Sequence, residues 1–435
     1  MGDDLEPDDR PDDHRSASMK GPPTKPDVSA SRLFSKVNPH TLRHEPGSVF
    51  GAACLVAGTT VGAGILALPV AAEATGFLPS SAGLIAGALW SIASGLTLAE
   101  VNINTMCELG QGGVSINSMA RRTLGGTGAN LAAASYLLLH YAVLVAYIAK
   151  GGEVLSSVSG LPGLPAAGLF VGGLGLTCYF SSPKVMNTIN SVLVGLIIAS
   201  FLGLLGAASG NVQPAALLKA DWHVLPAIFP VVSLAFVYQN VVPVVATSLE
   251  GDITKVRTAV VGGIFVPLLM FILWDWAILG SLGGSASSGG DPLAVLAAAD
   301  PLVGPLIAAF SLLAVATSFI GFVLGLTDFV ADTLQLPTGS QALPYAITLG
   351  PPLLLALSFP DVFFGALDIA GTYGVLVLFG LVPAAMAWSE RYGNSTLACA
   401  RIVPGGKAGL LLVGGVASGV IANELFDSIS RFLPQ

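Results

Sequence analysis

The sequence predicts an all-α polytopic membrane protein, and three observations carry that prediction. Hydrophobic residues make up 53% of the chain and charged ones only 10%, with a mean hydropathy of +0.77; a soluble domain carries about 25% charge. Apolar runs long enough to cross a bilayer as a helix, about 20 residues, recur along most of the sequence. They lack the period-two alternation of a lipid-facing barrel strand.

Residues 1–48 precede the first apolar run and read as a disordered polar tail. The tail is acidic up to Asp13 (MGDDLEPDDRPDD), then carries five Lys/Arg against two acids from Met19 to Ser48. Its second part has the character of an organelle transit segment, its acidic start does not, and a cytosolic tail is the alternative reading. Nine of the 26 acids lie in this tail, so the net charge of −8 says little about partners. There is no basic patch of the kind that binds nucleic acid. Cys54, Cys107, Cys178 and Cys399 form no C-x-x-C pair and read as small apolar packing residues.

The first span, from Val49 to Leu78, has Glu73 as its one charge and is interrupted by GTTVGAGILALP at 58–69. Glycine weakens a helix by about 1 kcal/mol relative to alanine, and backbone freed in lipid is tolerated only inside protein or beside a watery cavity. Gly58, Gly62 and Gly64 therefore point to two half-helices meeting at a ligand site, the alternative being a glycine-rich helix packed closely on a neighbour. Further spans are expected at 80–105, 129–150, 164–180, 187–209, 222–248, 258–280, 301–327, 342–358, 363–389 and 406–424, about eleven in all. With the N-terminus inside, eleven Lys/Arg fall in inner segments and three (Lys150, Lys219, Arg431) in outer ones, the bias of cytoplasmic loops.

The sixth span holds a second interruption, PVVSLAFVYQNVVPVVATSLE at 230–250. Pro230 and Pro243 remove backbone donors and are expected to bend it. Tyr238, Gln239 and Asn240 are three consecutive polar residues that would point three ways round an intact helix. Gly62 and Asn240 lie 178 positions apart, and His140 and Thr317 lie 177 apart. A five-span unit re-enters the membrane from the opposite side on repetition, so the pattern predicts inverted repeats at about 49–209 and 222–389. An extra helix at 406–424 then completes a transmembrane domain of 49–424, with a tail at 425–435. Two broken helices at matching places in such units mark a transporter binding site.

Half-helix N-termini carry free N–H groups and about half a positive charge, which suits a carboxylate. Gly62, Ala63 and Gly64, with Thr59 beside them, are the expected grip on the α-carboxylate of an amino acid. The carbonyls near Ala57 to Thr60 suit an ammonium group or a coupling cation. Tyr238, Gln239 and Asn240 are substrate-binding candidates on the facing break.

At these residues the chain resembles the aromatic (hydroxy and aromatic) amino acid permease family of the amino acid–polyamine–organocation superfamily. GTTVGAGILALPVAAEATGF is similar to that family's first span, YLLLHYAVLVAYIAKGGEVL (136–155) to its third and ATSFIGFVLGLTDFVAD (316–332) to its eighth. The resemblance covers residues 49–424 and implies the LeuT-type 5+5 inverted-repeat fold, with eleven spans and helices 1 and 6 broken. It implies tyrosine or tryptophan as substrate with a proton as coupling ion. The 48-residue lead-in is closer to plastid-targeted relatives of plants and algae. The expected place is thus a multi-pass protein of the plastid envelope's inner membrane if the source is plant or algal, otherwise of the plasma (inner) membrane.

His140 could relay a proton or bind a phenolic hydroxyl, or be a histidine satisfied by a neighbouring helix. Tyr141 and Tyr147 could pack on an aromatic ring or anchor span ends. Thr60, Thr317 and Ser318 are the ion-coupling candidates, with sodium conceivable at Thr317 and Ser318 from the LeuT-type resemblance, against hydroxyls bonded to their own backbone. Glu100 suggests a hydrated end; Asp275, between Trp274 and Trp276, suggests the outer interface; Glu73, Asp328 and Asp368 are further carboxylates.

The function these features support is secondary active transport of an aromatic amino acid, driven by protons. The alternatives are a sodium-coupled neutral amino acid carrier on the same fold, a channel, or a non-transporting scaffold or sensor. No enzyme constellation, metal centre or cofactor motif is expected.

Overall fold

The computed structural model describes residues 47–62, 64–109, 114–210, 212–282, 292–299, 303–334, 342–359, 361–393 and 401–432. The polar tail, apart from Gly47 and Ser48, lies outside the described residues, as do Ala63 and Cys399. Among the described residues nine helices are long and apolar enough to cross a bilayer. The bent pair Val49–Thr60 and Gly64–Thr75 makes a tenth, and the shorter Ala342–Ser358 stands where the ninth span was expected. The other spans are, in order, Phe77–Leu109, Ile116–Ser159, Gly163–Phe180, Pro183–Ser209, Leu225–Ser248, Ile253–Ser281, Val303–Thr333, Phe363–Tyr392 and Gly406–Phe432.

The first span is broken. Ser48 caps its inner half by accepting from Gly51 N at 2.9 Å, and that half ends where Val61 takes an extended conformation, its N–H on Ala57 O at 2.9 Å. The outer half starts at Gly64, bent by 59° from the inner one. It stops at Gly76, whose φ of 84° and approach to Lys219 O, 2.0 Å from where a Cβ would stand, only glycine accommodates.

The sixth span is broken as well, but its prolines act differently from expectation. Pro230 and Pro243 do not bend a continuous helix; each sits in the first turn of a half, Phe229–Ala235 and Val242–Ser248. In that position the missing N–H costs nothing. The break between them is Phe236–Val241, where Val241 N reaches back to Tyr238 O at 2.9 Å.

Several boundaries differ from expectation. The helix of the third span begins at Ile116 rather than near 129, kinked at Gly125 (φ 73°). The eleventh runs on to Phe432, past the expected 424. The tenth widens into a π-helical stretch from Ala370 to Leu381. In the ninth, Pro351 and Pro352 lie inside the helix, so Ile347 O loses the donor it would have had at Pro351. Tyr141 supplies the replacement, its hydroxyl donating to Ile347 O at 2.9 Å.

Two carboxylates are not where the sequence suggested. Glu100 is no hydrated end: it is 1% exposed and accepts from Arg391 Nε (2.5 Å) and Nη2 (2.6 Å) and from Ile402 N (2.6 Å). A forked guanidinium and backbone N–H groups satisfy both oxygens, so Glu100 fastens the second span to the tenth and to the segment before the eleventh. Trp274 and Asp275 are not lipid-interface residues; each is 1% exposed. Trp274 packs against Phe201 and Phe310, with ring centroids 6.0 and 5.0 Å away. Asp275 lies beside Ser80, whose hydroxyl proton goes to Phe77 O at 3.0 Å.

Candidate functional site

A cavity of about 580 Å³ lies at the junction of the two breaks. The first span lines it with Gly58, Thr59, Thr60, Gly62 and Gly64, and the sixth with Leu234, Val237, Asn240 and Val241. Tyr147, Thr317, Ser318 and Phe322 close it from the third and eighth spans. It extends along the inner half of the first span, past Cys54 to Gly51. The start of the outer half packs on the sixth span: a Cβ on Gly64 would stand 2.9 Å from Ala235 Cα. Above it, the last turn of that half is tied down by Asp221 N on Thr75 O (2.7 Å) and Lys219 Nζ on Glu73 O (3.1 Å).

The glycines leave room that side chains would fill. A Cβ on Gly62 would stand 2.5 Å from Ser318 Oγ, so backbone and hydroxyl meet directly across the cavity. Ser318 also shares a side-chain hydrogen bond with Tyr147. The outer half presents its first N–H groups here, with Ile65 N on Gly62 O at 3.2 Å. Of the hydroxyls, Thr59 donates to Leu55 O at 2.7 Å, Thr60 to Val56 O at 2.8 Å, and Thr317 to Leu313 O and Ala314 O at 3.1 Å. Each therefore spends its proton on its own helix and keeps oxygen lone pairs as acceptors.

The three polar residues of the sixth break part company. Asn240 faces the cavity. Tyr238 and Gln239 do not; both turn onto the second span. Tyr238 donates to Ser91 O at 3.0 Å, and Gln239 Nε2 donates to Ser91 Oγ at 3.1 Å. Gln239 Oε1 accepts the N–H of Tyr238 at 3.0 Å, and Ser91 Oγ donates to Phe236 O at 2.7 Å. These bonds satisfy the backbone that unwinding freed. Gly95 makes the fit, since a Cβ there would stand 2.0 Å from the Tyr238 hydroxyl.

His140 and Tyr141 also lie off the cavity. Tyr141 is engaged with the ninth span, as above. His140 is 3% exposed and stands behind Phe322, with ring centroids 4.9 Å apart. Sequence reasoning missed Asn190 and Ser191 of the fifth span, which line the cavity; the polar run Asn187, Thr188, Asn190 and Ser191 at the start of that span was the available signal. It also missed Cys54, an exposed thiol on the cavity wall rather than a packing residue.

A second cavity, of about 760 Å³, shares Asn240 with the first as a lining residue and is also lined by Tyr136, Gly325, Asp328, Phe329 and Asp332.

The chain is 30% identical over 379 residues to tyrosine-specific transport system 2 of Haemophilus influenzae, covering 80% of this chain and 89% of the relative. It is 29% identical over 369 residues to a tryptophan-specific transport protein of Pseudomonas aeruginosa, covering 79% and 87%. Its fold is similar to that of MhsT in complex with L-phenylalanine, with a TM-score of 0.54 at 16% identity over 88% of this chain and 99% of that one. This similarity establishes the LeuT-type architecture that the two broken helices imply. Residues 45–422 match the tryptophan/tyrosine permease family, and the chain belongs to that family of transport proteins.

Proposed function

We propose that this chain is a proton-coupled symporter of aromatic amino acids, with tyrosine or tryptophan as substrate. The observation that carries the reading is the single cavity into which both helix breaks open. Its size falls within the roughly 300–1,000 Å³ of small-molecule sites. The substrate carboxylate sits on the N–H groups that open the outer half-helix at Gly62 and Gly64, where the helix end favours an anion. The ammonium group faces the carbonyls ending the inner half and the Thr59 and Thr60 oxygens. The aromatic ring lies against Phe322, Tyr147 and Val237, with Asn240 at its inner edge. Relatives named for tyrosine and tryptophan transport support the substrate class.

With the N-terminus on the inner side, as the Lys/Arg distribution predicts, this conformation is open inward and shut outward. Transport alternates as the first and sixth spans rock with the second and seventh against the third, fourth, eighth and ninth. The membrane is the inner envelope of a plastid if residues 1–48 act as a transit segment, and the plasma membrane otherwise; the tail fused to a fluorescent protein reads this out.

The test is counterflow of labelled tyrosine and tryptophan by purified protein in liposomes, followed by uptake with and without an imposed pH gradient. Saturable exchange, and accumulation driven by the gradient, are expected. Absence of exchange with any amino acid favours a scaffold.

A further inference from the structure

Five aromatic rings form a continuous column between the third and eighth spans. Tyr147 meets Phe322 at 5.8 Å, Phe322 meets His140 at 4.9 Å, His140 stacks on Tyr136 at 3.8 Å, and Tyr136 on Phe329 at 4.6 Å. The ends of this column face different spaces. Tyr147 and Phe322 line the central cavity, while Tyr136 and Phe329 line the second cavity with Asp328 and Asp332. His140 is the one member that can carry a charge as an added proton, and it stands between the two.

Its hydrogen bond fixes its chemistry. Nδ1 lies 2.8 Å from Tyr136 O, and a carbonyl only accepts, so Nδ1 bears the proton and Nε2 is left as the free base. Nε2 faces Gly325, as does the Tyr136 hydroxyl, which donates to Gly325 O at 3.2 Å. A Cβ on Gly325 would lie 3.6 Å from Nε2 and 3.3 Å from that hydroxyl. An imidazolium here has the stacked Tyr136 ring and the tilted Phe322 ring both within the roughly 6 Å reach of cation–π attraction. Asp328, one turn beyond Gly325, acts electrostatically on Tyr136.

Of the other charged groups on the surrounding elements, Arg121 and Asp361 are exposed, and the following are engaged elsewhere. Arg122 pairs with Glu108, Arg391 with Glu100, Lys150 with Glu153, and Asn104 donates to Glu390. Tyr345 of the ninth span donates to Cys178 O, and Tyr373 of the tenth interacts with Glu424 and Asp368. Asp328 and Asp332 are the acids that share a cavity with Tyr136.

We propose that His140 carries the coupling proton, taking it on Nε2 and releasing it into the Asp328-lined cavity as this conformation is reached. This rests on the symport reading above and moves His140 from substrate contact to ion coupling. The step balances as an imidazolium losing one proton to water or to the Asp328 carboxylate, leaving neutral imidazole with Nδ1–H still on Tyr136 O.

The experiment uses the full chain in liposomes with an internal pH-sensitive dye, comparing wild type with His140→Gln. The expected result is that His140→Gln keeps tyrosine or tryptophan counterflow but loses substrate-induced proton entry and gradient-driven accumulation. Unchanged proton entry per substrate in His140→Gln overturns the proposal, and so does loss of counterflow together with proton entry, which assigns His140 to the fold or the substrate. Wild type without counterflow sinks the transport reading itself; wild type with counterflow but no proton entry sinks the proton coupling, and the role of His140 with it. A measurement independent of that variant is imidazole ¹⁵N NMR on a chain in which His14, His40, His44 and His223 are replaced by Gln. The single remaining histidine should show the Nδ1–H tautomer in its neutral form, with Nε2 as the basic nitrogen; an Nε2–H tautomer overturns the proposal.

Discussion

Gly62 and Ser318 meet across the central cavity so closely that a Cβ on Gly62 would stand 2.5 Å from Ser318 Oγ, yet 3.6 Å from Ser318 Cβ. The first distance is a clash and the second an ordinary contact. Gly62→Ala should therefore lose most uptake, and adding Ser318→Ala should restore part of it. Gly62→Leu should abolish uptake while the protein still inserts, because its larger side chain fills the grip whatever occupies position 318. Counterflow rates of the single and double variants check this, and Gly62→Leu with wild-type uptake would count against the site.

The Ser91–Gln239 pair supports the sixth break without touching substrate. Gln239→Leu strands the buried Tyr238 N–H, at a cost of about 1–3 kcal/mol, and removes the bond to Ser91 Oγ, whose own donation to Phe236 O remains. The variant should melt at lower temperature in detergent and lose transport rate more than substrate affinity. An unchanged melting temperature would mean that the break is held by other contacts.

Arg391→Leu leaves the Glu100 carboxylate buried without its cation, a change worth about 3–5 kcal/mol. Arg391→Lys should recover little, since one ammonium cannot reproduce the two-pronged contact. Thermal denaturation of both variants, compared with Glu100→Gln/Arg391→Leu, reads the pair directly. Equal stability of Arg391→Leu and wild type would contradict it.

Tyr141→Phe removes the donor to Ile347 O, the carbonyl that Pro351 leaves unpaired, and should cost about 1 kcal/mol of stability. Its KM for tyrosine should stay at the wild-type value, because the side chain lies off the cavity. A raised KM would place Tyr141 in the site after all.

Replacing sodium by choline should leave uptake unchanged, whereas collapsing the pH gradient should stop accumulation. The opposite pair of results would turn attention to Thr60, Thr317 and Ser318 as a sodium site.

The spans and both breaks were legible because each is written in local chemistry: length of apolar run, glycine where helix should continue, adjacent polar side chains at mid-depth. What the side chains do at a break was not. Once Tyr238, Gln239 and Asn240 leave the helix, no period assigns them a direction, and the choice is made by Ser91 and Gly95, more than 140 positions earlier. The Glu100–Arg391 pair spans 291 positions and was invisible for the same reason. Trp274 flanking Asp275 looked like an interfacial belt, but that pattern is equally satisfied by aromatic neighbours, here Phe201 and Phe310. Pro230 and Pro243 show a subtler loss: the sequence indicates a disrupted helix, and only the fold shows that each proline begins the segment after the disruption.

The claim on which the rest depends is that the cavity between the two breaks holds the amino acid, and Cys54 on its wall offers a direct reading. In a chain keeping Cys54 and lacking Cys107, Cys178 and Cys399, saturating tyrosine or tryptophan should slow alkylation of Cys54, while lysine at the same concentration should not. An alkylation rate that neither aromatic amino acid changes, in protein that still transports them, would contradict the account.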